Sequence, residues 1–551
     1  MIKRKWVLVP FLIILIMGLF IIFKIHVDAK ASFAITYELL KNQIETAHKV
    51  GPEWVCLAKK TETLRFTSSF LFILLGSIAL VLVLFWIYSI GIIVTLIIDN
   101  RNAEKTFAWI LVIIFLPIAG VILYVFLGDS SKKVEYYKKR STSKLLLEKI
   151  DTQLEYLKHL EMPGKRLMQY LLKHINEPIA TYNSVELFND GHKLYEVVIE
   201  EILKSKVFVH IEVYILRDDG LGTRIKDALI DRAKAGLEVR VLIDYMGSKK
   251  ISKKYIQELE SSGVKFAFFM PHISRQINYR NHRKVIVLDG KIGFIGGFNI
   301  GDEYLGLDPK MGYWRDTHMK VKGEILYPLQ DVFANDWDLA TRKNKKLNEN
   351  LFGEKYFPHI TESERAELTH FRMQLVYSGL DTVGKCIFFQ YFYHISNAKN
   401  RIWFTTPYLI LPETIRSALK MAAYSGIDVR IIIPNRIDHK SAFVGTRGNV
   451  EELLTAGVRI FAYDNGFIHA KVMIVDTGIA SVGTANMDIR SLLVNYEVNA
   501  VAYNEDIVKE LEAHFEEDFA KSVEFGLEEW KQRSKRTRFF EGVYKLLSPL
   551  L

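Results

Sequence analysis

The chain writes one segment twice, and that repeat limits its fold more than any other feature. NHRKVIVLDGKIGFIGGFNIGDEYLG starts at Asn281, and IHAKVMIVDTGIASVGTANMDIRS starts at Ile468. Aligning His282 with His469 gives an offset of 187 residues; Lys284 and Lys471, Asp289 and Asp476, Gly296 and Gly483, and Asn299 and Asn486 all match at it. Upstream, AKAGLEVRVLIDY parallels AYSGIDVRIIIPN, and ELESSGVKFAFF parallels ELLTAGVRIFAY. Each copy runs helix, strand, helix, strand, hairpin. The apolar β-branched runs, flanked by glycine, read as buried strands with helices on both faces. We therefore expect an α/β chain with two similar halves, mixed sheets flanked by helices, over 181–342 and 371–520, joined by a charged linker over 343–370.

Side chains alternate across a strand, so His282 shares a face with Lys284, and His469 with Lys471. Asp289-Gly290 is a strong hairpin-turn signal, and Asp476-Thr477-Gly478 a weaker one. Folding each hairpin at its aspartate sets Gly297 opposite His282 and Thr484 opposite His469, with Asn299 and Asn486 just beyond. His, Lys and Asn thus converge at one end of each hairpin, which Gly296, Gly297 and Gly483 keep open to a ligand. Asp289 and Asp476 go to the far tip, roughly 23 Å away at ~3.3 Å per residue, where they fix the turn.

A single H-x-K on a strand is ordinary surface chemistry; two copies with five matched positions point to a site. Lysine ammonium groups and asparagine amides donate to phosphoryl oxygens. Two facing sets would surround one anion, with the lysines supplying the charge that stabilises a phosphoryl transition state. One imidazole can attack phosphorus while the other protonates the leaving oxygen and then deprotonates an incoming hydroxyl. The set does not look like a metal site, and no cofactor is expected. Cys56 and Cys386 lie far apart and form neither a disulfide scaffold nor a zinc site.

The pattern H-x-K-x4-D-x6-G-[GST]-x-N, present twice, resembles the phospholipase D superfamily. YRNHRKVIVLDGKIGFIGGFNIGDEYLG, YWRDTH, HAKVMIVD and GTANMDIRS are similar to bacterial cardiolipin synthases, and so are DNRNAEKTFAWILVIIFLPIAGVILYVFLG and the terminal LLSPLL. The resemblance implies that His282, Lys284 and Asp289 form one catalytic motif and His469, Lys471 and Asp476 the other, with Asn299 and Asn486 contacting phosphate. It implies a phosphatidyl-histidine intermediate, with His282 as nucleophile and His469 as acid/base. It also implies that a downstream carboxylate orients each histidine, and Asp316 and Glu497 stand in those places. The activity implied is transfer of a phosphatidyl group between two phosphatidylglycerol molecules, giving cardiolipin and glycerol. A membrane-bound phospholipase D that hydrolyses headgroups and a non-catalytic scaffold binding acidic lipid are the alternatives.

Three stretches carry no charge: 6–23, 70–98 and 107–127. A bilayer-spanning helix needs about 20 apolar residues, so residues 1–127 read as a membrane region with these as candidate spans. Residues 6–23 could instead belong to a signal peptide, since Lys3-Arg4-Lys5 precedes them; an uncleaved anchor fits the length of the run better. If all three stretches span, the distribution of Lys and Arg favours a multi-pass protein of the cell membrane with a cytoplasmic catalytic module. The net charge of +10 calls for an anionic partner. Its clusters, Lys132 to Lys144 in a basic helical linker over 128–180 and Lys531 to Arg538 in a basic tail over 521–551, suit anionic membrane lipid, or else a solvated face. Spans beside the catalytic region argue against nucleic acid. The amphipathic run 143–172 fits either a membrane surface or core packing.

Overall fold

The computed structural model describes residues 24, 35, 38–39, 52–98, 103–127, 142–159, 161–162, 164–269, 279–344, 346–382 and 384–547. The stretch 6–23 and the basic residues 132–140 lie outside them. The chain divides into an N-terminal unit, up to Lys132, and a large unit holding nearly all the rest.

In the N-terminal unit, Pro52–Ile98 is a single helix, α1. Its part Leu74–Ile98 has 25 residues and is long and apolar enough to cross a membrane, at ~1.5 Å per residue. The stretch 107–127, expected to be a span of its own, is not one helix. It breaks at Leu116 into α2 (Ala103–Phe115) and α3 (Pro117–Leu127), because Pro117 has no N–H to donate and disfavours a helical conformation at the residue before it. The break is a reversal. Trp109 and Tyr124 meet edge to face with ring centroids 5.5 Å apart, where a straight helix would separate them by roughly 22 Å. Gly120 sits against α2 so closely that a Cβ there would lie 2.6 Å from the Val112 carbonyl oxygen. Ile92, Leu96, Ile113, Val121 and Tyr124 are buried in this small helical cluster.

The large unit is built on one mixed sheet. Its first half supplies β1 (Ala180–Asp190), β2 (Phe208–Val213), β3 (Glu238–Asp244), β4 (Lys265–Phe269), β5 (Val285–Leu288), β6 (Ile292–Gly296) and β7 (Trp314–Gly323). The second supplies β8 (Thr369–Ser378), β9 (Arg401–Thr405), β10 (Asp428–Pro434), β11 (Arg459–Tyr463), β12 (Phe467–Ile468), β13 (Val472–Val475), β14 (Ile479–Gly483), β15 (Glu497–Tyr503) and β16 (Ser522–Glu524). The strand order is 16-11-10-9-13-14-15-8-1-7-6-5-2-3-4, with β12 pairing β7 off this path. The order from β11 to β8 repeats that from β4 to β1, in mirror sequence about the middle. The expected two α/β halves are present, and β1 and β8 join them by antiparallel pairing, with Asn183 opposite Thr369 and Ala180 opposite Met373.

The apolar runs read from sequence lie where their composition demands. Every residue of β2 and β5 is buried, and so is all of β3 but its first residue. The helix Leu326–Thr341 covers one face with Leu329, Val332, Phe333 and Trp337. Helices Gly191–Lys204 and Gly220–Lys234 cover the other, packing Leu194, Val198, Ile225 and Leu229.

Three expectations about connecting segments change. Residues 144–175 are not a linker: Lys144–Lys158 and Lys165–Ile175 bury Leu146, Leu167, Leu171 and Ile175 in the main core, so the amphipathic run packs inward. The stretch 343–370 contains a capped helical turn, Glu362–Ala366, with a reciprocal Thr361–Glu364 capping box, and the start of β8. The tail beyond 521 adds β16 to the sheet edge beside β11. It also lays the helix Lys535–Leu547 on Lys440–Thr455, where Arg533 and Arg538 pair with Glu451 and Lys545 with Glu452. Those tail cations hold the fold together.

Candidate active site

Each hairpin turns on its aspartate. Asp289 and Asp476 adopt left-handed backbone, φ 56° and 52°, which Asp tolerates better than most residues. The Asp289 carboxylate accepts from the backbone N–H groups of Lys206, Val207 and Phe208 at 2.7–2.8 Å. That of Asp476 accepts from Lys399, Asn400 and Arg401 at 2.7–3.2 Å. Both therefore clamp the start of the neighbouring strand, β2 or β9, at the end of the hairpin away from the histidines. The motif groups them with the catalytic residues; in the structure neither lines the cavity shared by the two histidines.

At the other end the two halves interlock. The N–H of His282 donates to the carbonyl of Tyr496 at 2.9 Å, and Tyr496 returns a bond to Arg280. The N–H of His469 donates to the carbonyl of Arg315 at 2.7 Å, and β12 runs parallel to β7. Each histidine thus leaves its own half and rests on a strand of the other.

The carboxylates follow the same crossing. Glu497 Oε2 lies 3.0 Å from His282 Nδ1, and Asp316 Oδ2 lies 2.7 Å from His469 Nδ1. The expected partners are thus exchanged: Asp316, the carboxylate that follows His282, lies beside His469, and Glu497, the one that follows His469, lies beside His282. All four residues are buried. Burial opposes charge on Asp316, yet Lys471 and His469 hold its carboxyl below the ordinary range; Glu497 is held down likewise by His282 and Lys284. Burial lowers both imidazoles, His469 to about 4 with Lys471 adding to the effect. The carboxylates are thus ionised and the imidazoles neutral. Nδ1–H donates to the carboxylate in each pair, leaving Nε2 as the lone-pair nitrogen.

Gly297 and Thr484 occupy one repeat position and solve different problems. A Cβ at Gly297 would stand 1.9 Å from Asp316 Oδ1, so only glycine admits that carboxylate. Thr484 Oγ1 instead donates to Glu497 Oε2 at 2.6 Å, and its carbonyl oxygen lies 3.1 Å from His282 Nδ1.

His282, His469, Asn299 and Asn486 line one cavity of about 730 Å³. Lys284 and Lys471 are each 2 % exposed and hold the carbonyl oxygens of His282 and His469. Burial pulls their ammonium groups down to about 7 and about 8. Asn299 accepts from the Ile215 N–H and donates to the Tyr304 hydroxyl. Asn486 Oδ1 is buried without a partner. No cluster of three or more metal-ligating side chains occurs among the described residues.

Several wall residues escaped the sequence reading. Tyr214 meets His282 edge to face at 5.0 Å, and Trp314 packs on His469 at 5.2 Å. Arg280 and Arg490 line the same cavity; Arg280 was visible beside the motif, in YRNHRK. Arg283, between His282 and Lys284, is fully buried and ties the halves together. It bonds Asp336 at 2.5 Å, the Ser378 carbonyl at 3.1 Å and the Glu497 carbonyl at 3.3 Å. Its repeat counterpart is Ala470, so this anchor serves the first motif alone.

Comparison with known proteins adds the family. The model described as "Cardiolipin synthase, PLD-like domain" matches residues 198–337 and 391–519, and "Phospholipase_D-nuclease N-terminal" matches 84–128. The major cardiolipin synthase ClsA of Bacillus subtilis is 39% identical over 487 residues, covering 86% of this chain and 99% of its own. The chain belongs to the bacterial cardiolipin synthases of the phospholipase D superfamily. A second cardiolipin synthase, from Halalkalibacterium halodurans, is 40% identical over 86% of this chain and 93% of its own. Among solved structures, phosphatidylserine synthase of Haemophilus influenzae is 16% identical, with a TM-score of 0.54 over 71% of this chain and all of its own; that likeness is one of fold. The two cardiolipin synthase family matches begin and end inside the two halves built here on β1 and β8.

Proposed function

We propose that this protein transfers a phosphatidyl group from one phosphatidylglycerol molecule to another, releasing glycerol and forming cardiolipin. The observation that carries the reading is the pair of crossed imidazole–carboxylate contacts opening on one cavity. A phosphodiester between the two Nε2 atoms meets an attacking lone pair on one side; on the other, an imidazole that takes up a proton on Nε2 beside the bound phosphate anion becomes the acid for the leaving oxygen. Lys284, Lys471, Asn299 and Asn486 supply the positive and neutral donors that a pentacoordinate phosphorus requires. Acid–base assistance of this kind contributes about 10²–10⁴ in rate. A covalent phosphatidyl-histidine lets the small alcohol leave before the lipid alcohol enters.

The helix Leu74–Ile98 provides the anchor at the lipid surface, where both substrates reside. Tethering the site there raises the effective concentration of substrate. With residues 107–127 doubled back, the three-span charge count no longer applies. The basic residues that directly follow Leu127 in sequence still favour a cytoplasmic module, and protease access in sealed inverted vesicles tests that side. For the reaction, purified protein is given phosphatidylglycerol labelled in its headgroup. Cardiolipin and free glycerol in equal amounts are expected; phosphatidic acid as the main lipid product would make the enzyme a hydrolase.

A further inference from the structure

Residues that line the cavity and also reach solvent mark its mouth. Lys250, Lys310 and His439 do both, and they come from three separate loops, after β3, before β7 and after β10. Beside them in sequence stand two apolar side chains turned to water, Leu307 at 58% exposure and Ile437 at 41%. The acidic residues of the same loops are engaged locally. Asp308 accepts from the Lys310 N–H at 2.8 Å, and Asp438 from the Tyr408 hydroxyl. The mouth is thus ringed by cations with apolar groups among them.

The C-terminal helix Lys535–Leu547 adds a fourth element, since its Tyr544 lines the same cavity. The helix is held on one side. Glu541 is buried and bonded to Arg533, and a Cβ at Gly448 would stand 3.1 Å from the Glu541 carbonyl oxygen. Arg538 and Lys545 are taken up by Glu451 and Glu452. At 3.6 residues per turn, Arg536 and Phe540 fall on a stripe turned away from that contact. Phe539 and Phe540 are 66% and 47% exposed, Arg536 lies over the Phe540 ring, and Lys535 is exposed beside them. Adjacent phenylalanines open to water, on a helix whose free cations share their side, have the composition of a helix that lies in a lipid interface.

We propose that the cavity mouth and the helix Lys535–Leu547 form one docking face for an anionic bilayer. Phe539 and Phe540 enter the boundary between headgroups and acyl chains, and Lys250, Lys310, Lys535 and Arg536 meet lipid phosphates. This contact is additional to the helix Leu74–Ile98, and it belongs to the large unit itself. It answers a physical difficulty of the substrate. A phosphatidyl group drawn wholly into the cavity would pull two acyl chains out of lipid, with a cost for each methylene exposed. A mouth resting on the bilayer lets the phosphate rise to the histidines while the chains stay where they are. That a lipid passes this mouth rests on the phosphatidyl-transfer reading; the docking does not.

The test uses full-length protein in nanodiscs of mixed phosphatidylcholine and phosphatidylglycerol. With Cys56→Ser in place and Cys386 buried, a fluorophore is attached at Phe540→Cys or, for comparison, at Lys206→Cys beside the Asp289 turn. Lipids spin-labelled near the top of the acyl chain should quench the first strongly and the second hardly at all. Equal, weak quenching at both sites overturns the docking face. A label at 540 shielded from aqueous iodide yet not quenched by lipid assigns the face to a second copy of the chain, and also overturns it. In a second measurement, the variant Phe539→Ser/Phe540→Ser is compared with the parent on phosphatidylglycerol in vesicles and on dihexanoyl phosphatidylglycerol dispersed as monomers. The vesicle rate should fall about tenfold, as expected when apolar area leaves an interface, with little change on the monomer. Equal losses on both substrates would make these residues merely structural and refute the proposal. Quenching reads docking without turnover and the monomer reads turnover without docking, so the failure of either reading shows separately.

Discussion

At the scale of single residues, the site is governed by what surrounds each nitrogen. Asp316 and Glu497 are ionised beside neutral imidazoles, which suits them, in the mechanism proposed, to fix the tautomer and to balance the charge that develops on the ring. Replacing Asp316 with Asn keeps the shape and removes that charge. We expect kcat to fall by about 10²–10⁴, with little change in melting temperature; activity within threefold of the parent would show that the carboxylate is dispensable. The lysines set the pH response. Burial lowers Lys284 to about 7 and Lys471 to about 8, so each loses its charge as pH rises through those values. With these lysines holding substrate phosphate as proposed, KM for phosphatidylglycerol should climb severalfold from pH 7 to pH 9 while kcat moves less. Lys284→Arg, whose guanidinium stays charged, should flatten part of that climb; a KM independent of pH would contradict it. Gly297→Ala forces a methyl group into the Asp316 carboxylate, and phosphatidyl transfer should drop at least a hundredfold in protein that still folds.

At the scale of elements, the hairpins divide the labour along their length. Asp289 binds three backbone N–H groups at one end, far from the imidazoles. Asp289→Ala should cost about 1–3 kcal/mol of stability, measured as a lowered melting temperature, with the kcat of the folded fraction near the parent value. A large fall in kcat at unchanged stability would return this residue to the chemistry. Much of this was readable in the string itself, because turn residues, strand alternation and glycine obey local rules. Asp289-Gly290 announced its turn, and the H-x-K spacing announced its shared face. Local rules do not reach the crossing. That Asp316 serves His469 depends on β12 lying beside β7, a pairing between residues about 153 apart that neither segment signals on its own. The reversal at Leu116 was missed for a different reason. Hydropathy counts apolar residues and is blind to one proline among them, although Pro117 was there to be weighed.

At the scale of the whole molecule, the two halves form one catalytic body. β1 pairs with β8 at the centre of the sheet, and Arg283 bonds carbonyl oxygens of both β8 and β15. Energetic coupling should therefore follow the crossing. In double-mutant cycles, His282→Ala with Glu497→Gln, and His469→Ala with Asp316→Asn, should be strongly non-additive, because each pair acts as a unit. Pairings within one half should be the more nearly additive; the opposite pattern would refute the crossed geometry.

The crossing also governs when the enzyme can first act. The ribosome delivers the segment with His282 to the bilayer some two hundred residues before Glu497 exists. Until then the first imidazole has no carboxylate behind it and no partner opposite. A chain that still lacks its second half is thus mute toward the lipids around it, and phosphodiester chemistry waits until that half has been made.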